Sequence, residues 1–206
     1  MKRGIKMFIL VIIIGVVILG ILKMRDMNKQ NVEQVIKKEL INKKFDQVKV
    51  DTSNADIKIK KGVQYRVVYN GRQKLIPIVQ IKKNQLLVED RRGSININGN
   101  LFDLFNQNSL VPLITIEVPE GKLKNLVVDN SNGNVTVQDV DLPKGKIDLA
   151  NGSVTVNHST AKGYDLDTAN GRITVGGKNH GDSYAQNSES NKLLNIDVAN
   201  GSIVVN

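Results

Sequence analysis

Four stretches carry one pattern: LVVDNSNGNVTVQ at 126–138, KIDLANGSVTVN at 146–157, YDLDTANGRITVG at 164–176 and LNIDVANGSIVVN at 194–206. Each contains Asn-Gly, with the Asn at 132, 151, 170 and 200. The intervals are 19, 19 and 30, the last being 19 plus an 11-residue insertion. Aligned on that Asn, the flanking residues agree. Val128, Ile147, Leu166 and Ile196 stand four before it; Val135, Val154, Ile173 and Ile203 stand three after it; Val137, Val156, Val175 and Val205 stand five after it. A diverged copy at Asn54-Ala55 has Val50, Ile57 and Ile59 at the same offsets. Val, Ile and Thr alternating with polar residues between Gly and Asn turns mark strand–turn–strand units. A 19-residue unit cannot bury its apolar face alone, so neighbouring units must cover one another.

Two architectures satisfy the pattern. In a hairpin meander, Asn-Gly forms type I′ turns. In a parallel β-solenoid, Asn-Gly is the corner between two strands of one coil, and equivalent residues stack from coil to coil about 4.8 Å apart. An equal period with equal residue types at each offset is what stacking in register requires, so the expected fold is all-β, a parallel β-helix or solenoid of about 19-residue repeats. Consecutive units, those at Asn132, Asn151 and Asn170 among them, are expected to be adjacent layers. Asn54, Asn132, Asn151, Asn170 and Asn200 would then form a turn ladder of buried side chains bonded along the coil axis.

From about Phe45 to Asn206 the chain resembles the putative-adhesin β-strand-repeat domains of bacterial envelope proteins, a family of unknown function, some of it encoded beside cell-envelope stress response genes. The matching segments are the strand from Val48 to Ile59, ITIEVPEG at 114–121, and the Asn-Gly-x-Val/Ile-x-Val units. The resemblance implies a parallel β-helix-like fold, a membrane-tethered position and an adhesin-like or stress-sensing role. It brings no catalytic residues.

At the N-terminus, Met7 to Leu22 is an unbroken apolar run bracketed by Lys6 and Lys23. At 1.5 Å per residue its 16 residues span about 24 Å as a helix, and snorkelling by Lys6, Lys23 and Arg25 extends its reach. No small-x-small cleavage pattern follows it. The expected organisation is therefore a cytoplasmic tail at 1–6, a single transmembrane anchor at 7–24, a juxtamembrane linker at 25–45 and the β domain at 46–206, outside the cytoplasm. Within the linker, Val32, Val35, Ile36 and Leu40 fall at helical spacing, with Glu33 and Lys37 four apart, which predicts a short amphipathic helix.

Composition narrows the chemistry. With no Cys there is no disulfide framework, thiolate metal site or thiol nucleophile. His158 and His180 are the two histidines and lack metal-ligand spacing. The net charge of +9 is uneven: residues 1–125 are basic, whereas 126–206 hold 6 Lys+Arg against 9 Asp+Glu. The membrane-near half thus suits anionic lipid or anionic wall polymer. A basic face with stacking aromatics or a groove-reading helix is missing, so nucleic acid is not an expected partner.

Three features invite a functional reading. An Asp precedes the corner Asn by three in every copy: Asp51, Asp129, Asp148, Asp167 and Asp197. Stacked and outward, these form an acidic row, open either to a calcium stripe or to Asx bonding at the turn approach. Second, NGNLFDLFNQNSLVP at 98–112 breaks the repeat. Its Leu101, Phe102, Leu104 and Phe105 make a candidate partner-binding loop, or a cover over an open solenoid end. Third, residues 177–192 read as a mobile polar loop carrying Tyr184.

Periodic acids are explained by the repeat, whereas catalytic residues should break it. The chain is accordingly read as a non-enzymatic binding module with no cofactor and no metal. The alternatives are a cytoplasmic scaffold polymerising through its solenoid ends, since Gly201 to Asn206 closes on a β unit without an obvious cap, and a polysaccharide-acting enzyme using the row.

Overall fold

The computed structural model describes residues 34–91, 111–119 and 121–206. The expected tail at 1–6, the anchor at 7–24 and the loop residues Leu101, Phe102, Leu104 and Phe105 lie outside them. Among the described residues, no helix is long and apolar enough to cross a membrane.

The strands in chain order are β1 (Val35–Ile41), β2 (Gln47–Asn54), β3 (Asp56–Gly62), β4 (Arg66–Arg72), β5 (Ile78–Lys82), β6 (Gln85–Glu89), β7 (Leu113–Pro119), β8 (Asn125–Asn132) and β9 (Val135–Gln138). They continue as β10 (Gly145–Asn151), β11 (Val154–Val156), β12 (Gly163–Asn170), β13 (Ile173–Val175), β14 (Lys178–Asn179), β15 (Ser183–Gln186), β16 (Leu193–Asn200) and β17 (Ile203–Val205). One sheet runs β1-β4-β7-β3-β9-β11-β17-β13-β14 and the other β15-β12-β16-β10-β8-β2-β6-β5.

Each Asn-Gly unit gives one strand to each sheet, and equivalent units pair in parallel and in register. Val128 sits between Val50 and Ile147, and Ile196 between Ile147 and Leu166. The solenoid, not the meander, is therefore the fold. Inward rows of Val, Ile and Leu fill the space between the sheets, and nearly all are fully buried. This in-register apolar stacking is the main favourable term, at about 1.5–3 kcal/mol per buried side chain.

The layer order departs from the expectation of sequence order. The Asn132 and Asn151 units are neighbours, but the Asn170 unit is not next to Asn151. The unit at Asn200 (β16, β17) lies between them, pairing in parallel with β10 and β11 on one side and β12 and β13 on the other. The premise of an uncapped terminal unit fails with it, because Leu193–Asn206 is an inner layer.

A sixth parallel coil, β6 with β7, had no Asn-Gly to reveal it. It pairs with β2 and β3 through Val50↔Val88 and Ile57↔Ile114, so its corner runs from Asp90 to Pro112 where the neighbouring coil uses only Thr52 to Ala55. This coil too fills a gap left earlier, between β3 and β4 in one sheet and β2 and β5 in the other.

Both ends of the stack are closed by strands running the opposite way. At one end β4 and β5 are antiparallel to β7 and β6, with β1 added outside β4. At the other, β14 and β15 are antiparallel to β13 and β12. Two elements of the end covers differ from expectation. Val35–Ile41 is strand β1, not an amphipathic helix: Ile36, Leu40 and Ile41 pack on the core, and sheet pairing outweighs a weak helical spacing. Residues 177–192 are likewise no mobile loop, since β14 and β15 lie in them. Tyr184 stacks with Tyr164 at 6.4 Å and with His180 at 4.2 Å between ring centroids, covering the end of the core.

At the corners, the layers approach so closely that a carbonyl of the adjoining coil occupies the place of a side chain. A Cβ on Gly133 would land on the Ala55 carbonyl oxygen, one on Gly152 on that of Gly133, and one on Gly201 on that of Gly152. Gly133, Gly152 and Gly201 also have φ of +119°, +135° and +147°. Glycine is needed at the turn for both reasons. We expect Gly152→Ala to lower unfolding free energy by roughly 2–4 kcal/mol in urea titrations, while Lys146→Gln, on the exposed face, changes it far less; equal effects would contradict the packing described.

Candidate functional site

The Asn ladder forms as one continuous chain of hydrogen bonds. Asn170 Nδ2 donates to Asn200 Oδ1 (3.0 Å), Asn200 to Asn151 (3.0 Å), Asn151 to Asn132 (3.0 Å) and Asn132 to Asn54 (2.8 Å). Three of these amides also reach a backbone carbonyl of the next layer: Asn132 to Ser53, Asn151 to Ser131 and Asn200 to Ala150. The side chains are exposed, contrary to the expectation of burial. Water competes for their bonds, so the ladder fixes register and adds only modestly to stability.

Three buried polar side chains beside the ladder were not anticipated: Thr52, Asn130 and Thr168, the last donating through Oγ1 to the Gly201 carbonyl at 2.8 Å. Thr52 Oγ1 donates to Asn130 Oδ1 (3.0 Å), and Asn130 Nδ2 donates to the carbonyls of Ala55 and Asn132 (both 3.0 Å). Leu149 and Val198 take the same position in other layers, so the variation hides the role from any single copy.

The acidic row is brought together as well, in the spatial order Asp51, Asp129, Asp148, Asp197, Asp167. Glu89 of the unforeseen coil continues it next to Asp51. The row lies on the outer face of the β8-containing sheet, where Asp129, Asp148 and Asp197 edge a shallow depression of about 250 Å³ floored by Ala150 and Ala199. Lys146 Nζ is 2.7 Å from Asp148 Oδ2. Its ammonium is held above the ordinary lysine value first by that hydrogen bond and then by the charges of Asp148, Asp129 and Asp197. Among the described residues, no group of three or more His, Asp or Glu is arranged to hold a metal ion.

At the opposite corner, His158 Nδ1 lies 3.1 Å from Asp139 Oδ1, both largely exposed. These residues take left-handed φ of +65° and +56° at matching turn positions. The pair is a surface contact at a turn. The one buried carboxylate among the described residues, Glu117 at 5% exposure, is held by two Arg66 nitrogens at 2.8 to 3.1 Å and by Lys60 at 3.3 Å. It clamps β3, β4 and β7 together and is fully engaged.

Charge is graded along the stack. The strands and links from 34 to 91, which build the β1/β5 end, hold 14 Lys+Arg and 6 Asp+Glu; residues 126–206, which build the other end, hold 6 and 9. Lys37 and Lys38 on β1, Lys43 and Lys44 after it, Lys74, and Lys82 and Lys83 at the β5–β6 turn are all exposed. The basic end is the one at which the chain enters the domain through β1.

With this geometry in view, the relatives can be placed. The family model named Toastrack DUF4097, a domain of unknown function, matches residues 45–206. The chain belongs to this family. No curated protein matches. Among solved structures, a "putative cell adhesion protein" of Clostridium sporogenes superposes with a TM-score of 0.51 at 13% identity, covering 84% of this chain and 99% of its own. A "putative lipid binding protein" of Parabacteroides distasonis gives 0.43 at 13% identity, covering 84% of this chain and 63% of its own. A "putative adhesin" from the same organism gives 0.44 at 12% identity, covering 84% and 66%. The chain thus spans less than two thirds of each of these last two. The Clostridium likeness is one of fold.

Glu117 gives a pH test. Its carboxylate is held below the ordinary value first by the Arg66 hydrogen bonds, with Lys60 adding to the effect against the opposing cost of burial. A lowered value in the folded state contributes stability above the unfolded carboxylate value, about 4.3, and loses it as pH falls through the folded value. We expect Glu117→Gln to be clearly less stable than the unaltered protein at pH 7, with the gap narrowing as pH drops below about 4. A gap constant over that range by urea titration would show that the ion pair contributes nothing.

Proposed function

We propose that this Toastrack domain is a non-enzymatic binding module of the bacterial envelope, tethered by the apolar run at 7–24 with the domain outside the cytoplasm. Its basic end engages a polyanionic surface, either anionic lipid headgroups or anionic wall polymer. The observation that carries this reading is the charge gradient along the stack: exposed lysines of β1, its following link and the β5–β6 turn gather at the end where the chain enters. Each basic side chain near an anionic surface is worth about 1 kcal/mol at physiological salt, and several acting together give useful affinity without a pocket.

The name of the Clostridium neighbour, a "putative cell adhesion protein", agrees with a surface that binds. The regular faces of the stack agree with it too, since the acids of the row are repeat positions and the buried Glu117 is consumed by its ion pairs. The loop carrying Leu101, Phe102, Leu104 and Phe105 is a second proposed contact, with an envelope protein as partner. In the sequence it lies between β6 and β7.

The test is co-sedimentation of the domain from Gln34 onward with vesicles of phosphatidylcholine alone, of phosphatidylcholine with phosphatidylglycerol, and with insoluble anionic wall polymer. Binding to at least one anionic surface, weakened by salt and reduced roughly tenfold or more by Lys37→Glu, Lys38→Glu, Lys82→Glu and Lys83→Glu together, is expected. Binding unchanged by these substitutions would reject the role of the basic end. For the location, a membrane-impermeant protease added to intact cells should digest the domain; full protection would reject an extracytoplasmic position.

A further inference from the structure

We infer that the gap between the Asn151 and Asn170 layers is a strand-acceptor site, filled here by Leu193–Asn206 of the same chain and equally able to receive that unit from a second copy. The chain builds β10 and β11, leaves one layer open, and lays down β12 and β13. It then reverses through β14 and β15, and only afterwards returns with β16 and β17 to fill the opening. Without that unit, β10 and β12 would face each other across a space one strand wide, each with an unpaired edge. Such edges are templates for pairing with another chain.

The opening is selective because each element of the repeat has its counterpart there. Ile196 pairs with Ile147 on one side and Leu166 on the other, and Ile203 with Val154 and Ile173. Asn200 donates to Asn151 and accepts from Asn170. Gly201 is the tightest element: a Cβ there would fall on the Gly152 carbonyl oxygen, while the place of a Cβ on Gly171 is taken by the Gly201 carbonyl oxygen. A strand pair must therefore carry glycine at that corner.

The incoming unit is joined to β15 through residues 187–192, which are mostly exposed. Asn187, Ser190 and Lys192 in this link bond to one another and to Lys162 and Gly163 at the start of β12. A short exposed link to a unit that makes the same contacts in its own chain or in a partner's is the arrangement that exchanges elements between copies. The partner is accordingly a second copy of this chain, reciprocating with its own Leu193–Asn206. This rests on topology and packing, independently of the basic end and of any envelope ligand.

The test uses the full chain in detergent micelles, as the unaltered protein and as Gly201→Val, each unfolded in denaturant and refolded with a fluorescent peptide of residues 193–206. The link supplies the chain's own unit at an effective concentration of order millimolar, so the peptide is added at or above that level. After gel filtration, both chains should retain the peptide, Gly201→Val the more strongly because its own unit no longer fits. A peptide carrying Gly201→Val should be retained at least tenfold less. Retention of neither peptide by either chain, or equal retention of both peptides, would overturn the proposal. The Gly201→Val chain need not fold alone, because the unaltered chain provides the same comparison.

Discussion

The structure depends on how closely its layers can approach at the Asn-Gly corner. There a backbone carbonyl of one coil sits against the Cα of the next, in the space any other residue would give to its Cβ. Once that contact is made, the interlayer distance is set for both sheets, and the Val and Ile rows meet their counterparts at van der Waals distance. The Asn amides then lie within reach of the next Asn. Ala55 fits the same rule: it lies at the end of the glycine series, where the next coil replaces the tight corner with the long connection from Asp90 to Pro112.

The second constraint is the closure of the ends. A parallel stack presents raw strand edges and open core at each extremity, and this chain answers both in one way. It skips a layer, reverses direction to lay an antiparallel cover, and returns to fill what it skipped. The device is used at the β4–β5 end and again at the β14–β15 end. One consequence is that the layers last to be filled lie inside the stack, so completion of the core waits on chain segments that follow the caps.

Much of this was legible in the sequence. The Asn-anchored alignment carried the strand pairing, the inward rows and the outward acids, because parallel stacking in register repeats the same demand at the same offset. The β6–β7 coil escaped because its corner is replaced, though Leu86, Val88 and Glu89 before it and Ile114 and Ile116 after it repeat the pattern. The layer order escaped for a deeper reason. Units that stack on any neighbour with equal fit contain no record of which neighbour they take, and only the 11-residue insertion before the Asn200 unit hinted at a detour. The strand at Val35–Ile41 was misread because apolar residues at Val32, Val35, Ile36 and Leu40 satisfy a helix as well as an edge strand until the partner strand is known. On the side of function, the repeat explains the acids and asparagines so completely that they say little about a ligand. The informative features are those outside the repeat, namely the lysines gathered at one end and the insertion between β6 and β7.

The architecture requires the Asn200 unit to lie between the Asn151 and Asn170 units. Since the chain has no Cys, pairs introduced at the exposed small positions before each corner report the order directly. A disulfide needs Cα atoms about 4.4–6.8 Å apart, which adjacent strands satisfy and strands two layers apart, at roughly 9.6 Å, do not. On monomeric protein under mild oxidation, Ala150→Cys with Ala199→Cys should close to an intramolecular disulfide, while Ala150→Cys with Ala169→Cys should stay reduced. The opposite outcome, closure of the second pair and not the first, would restore sequential layering and contradict the architecture described.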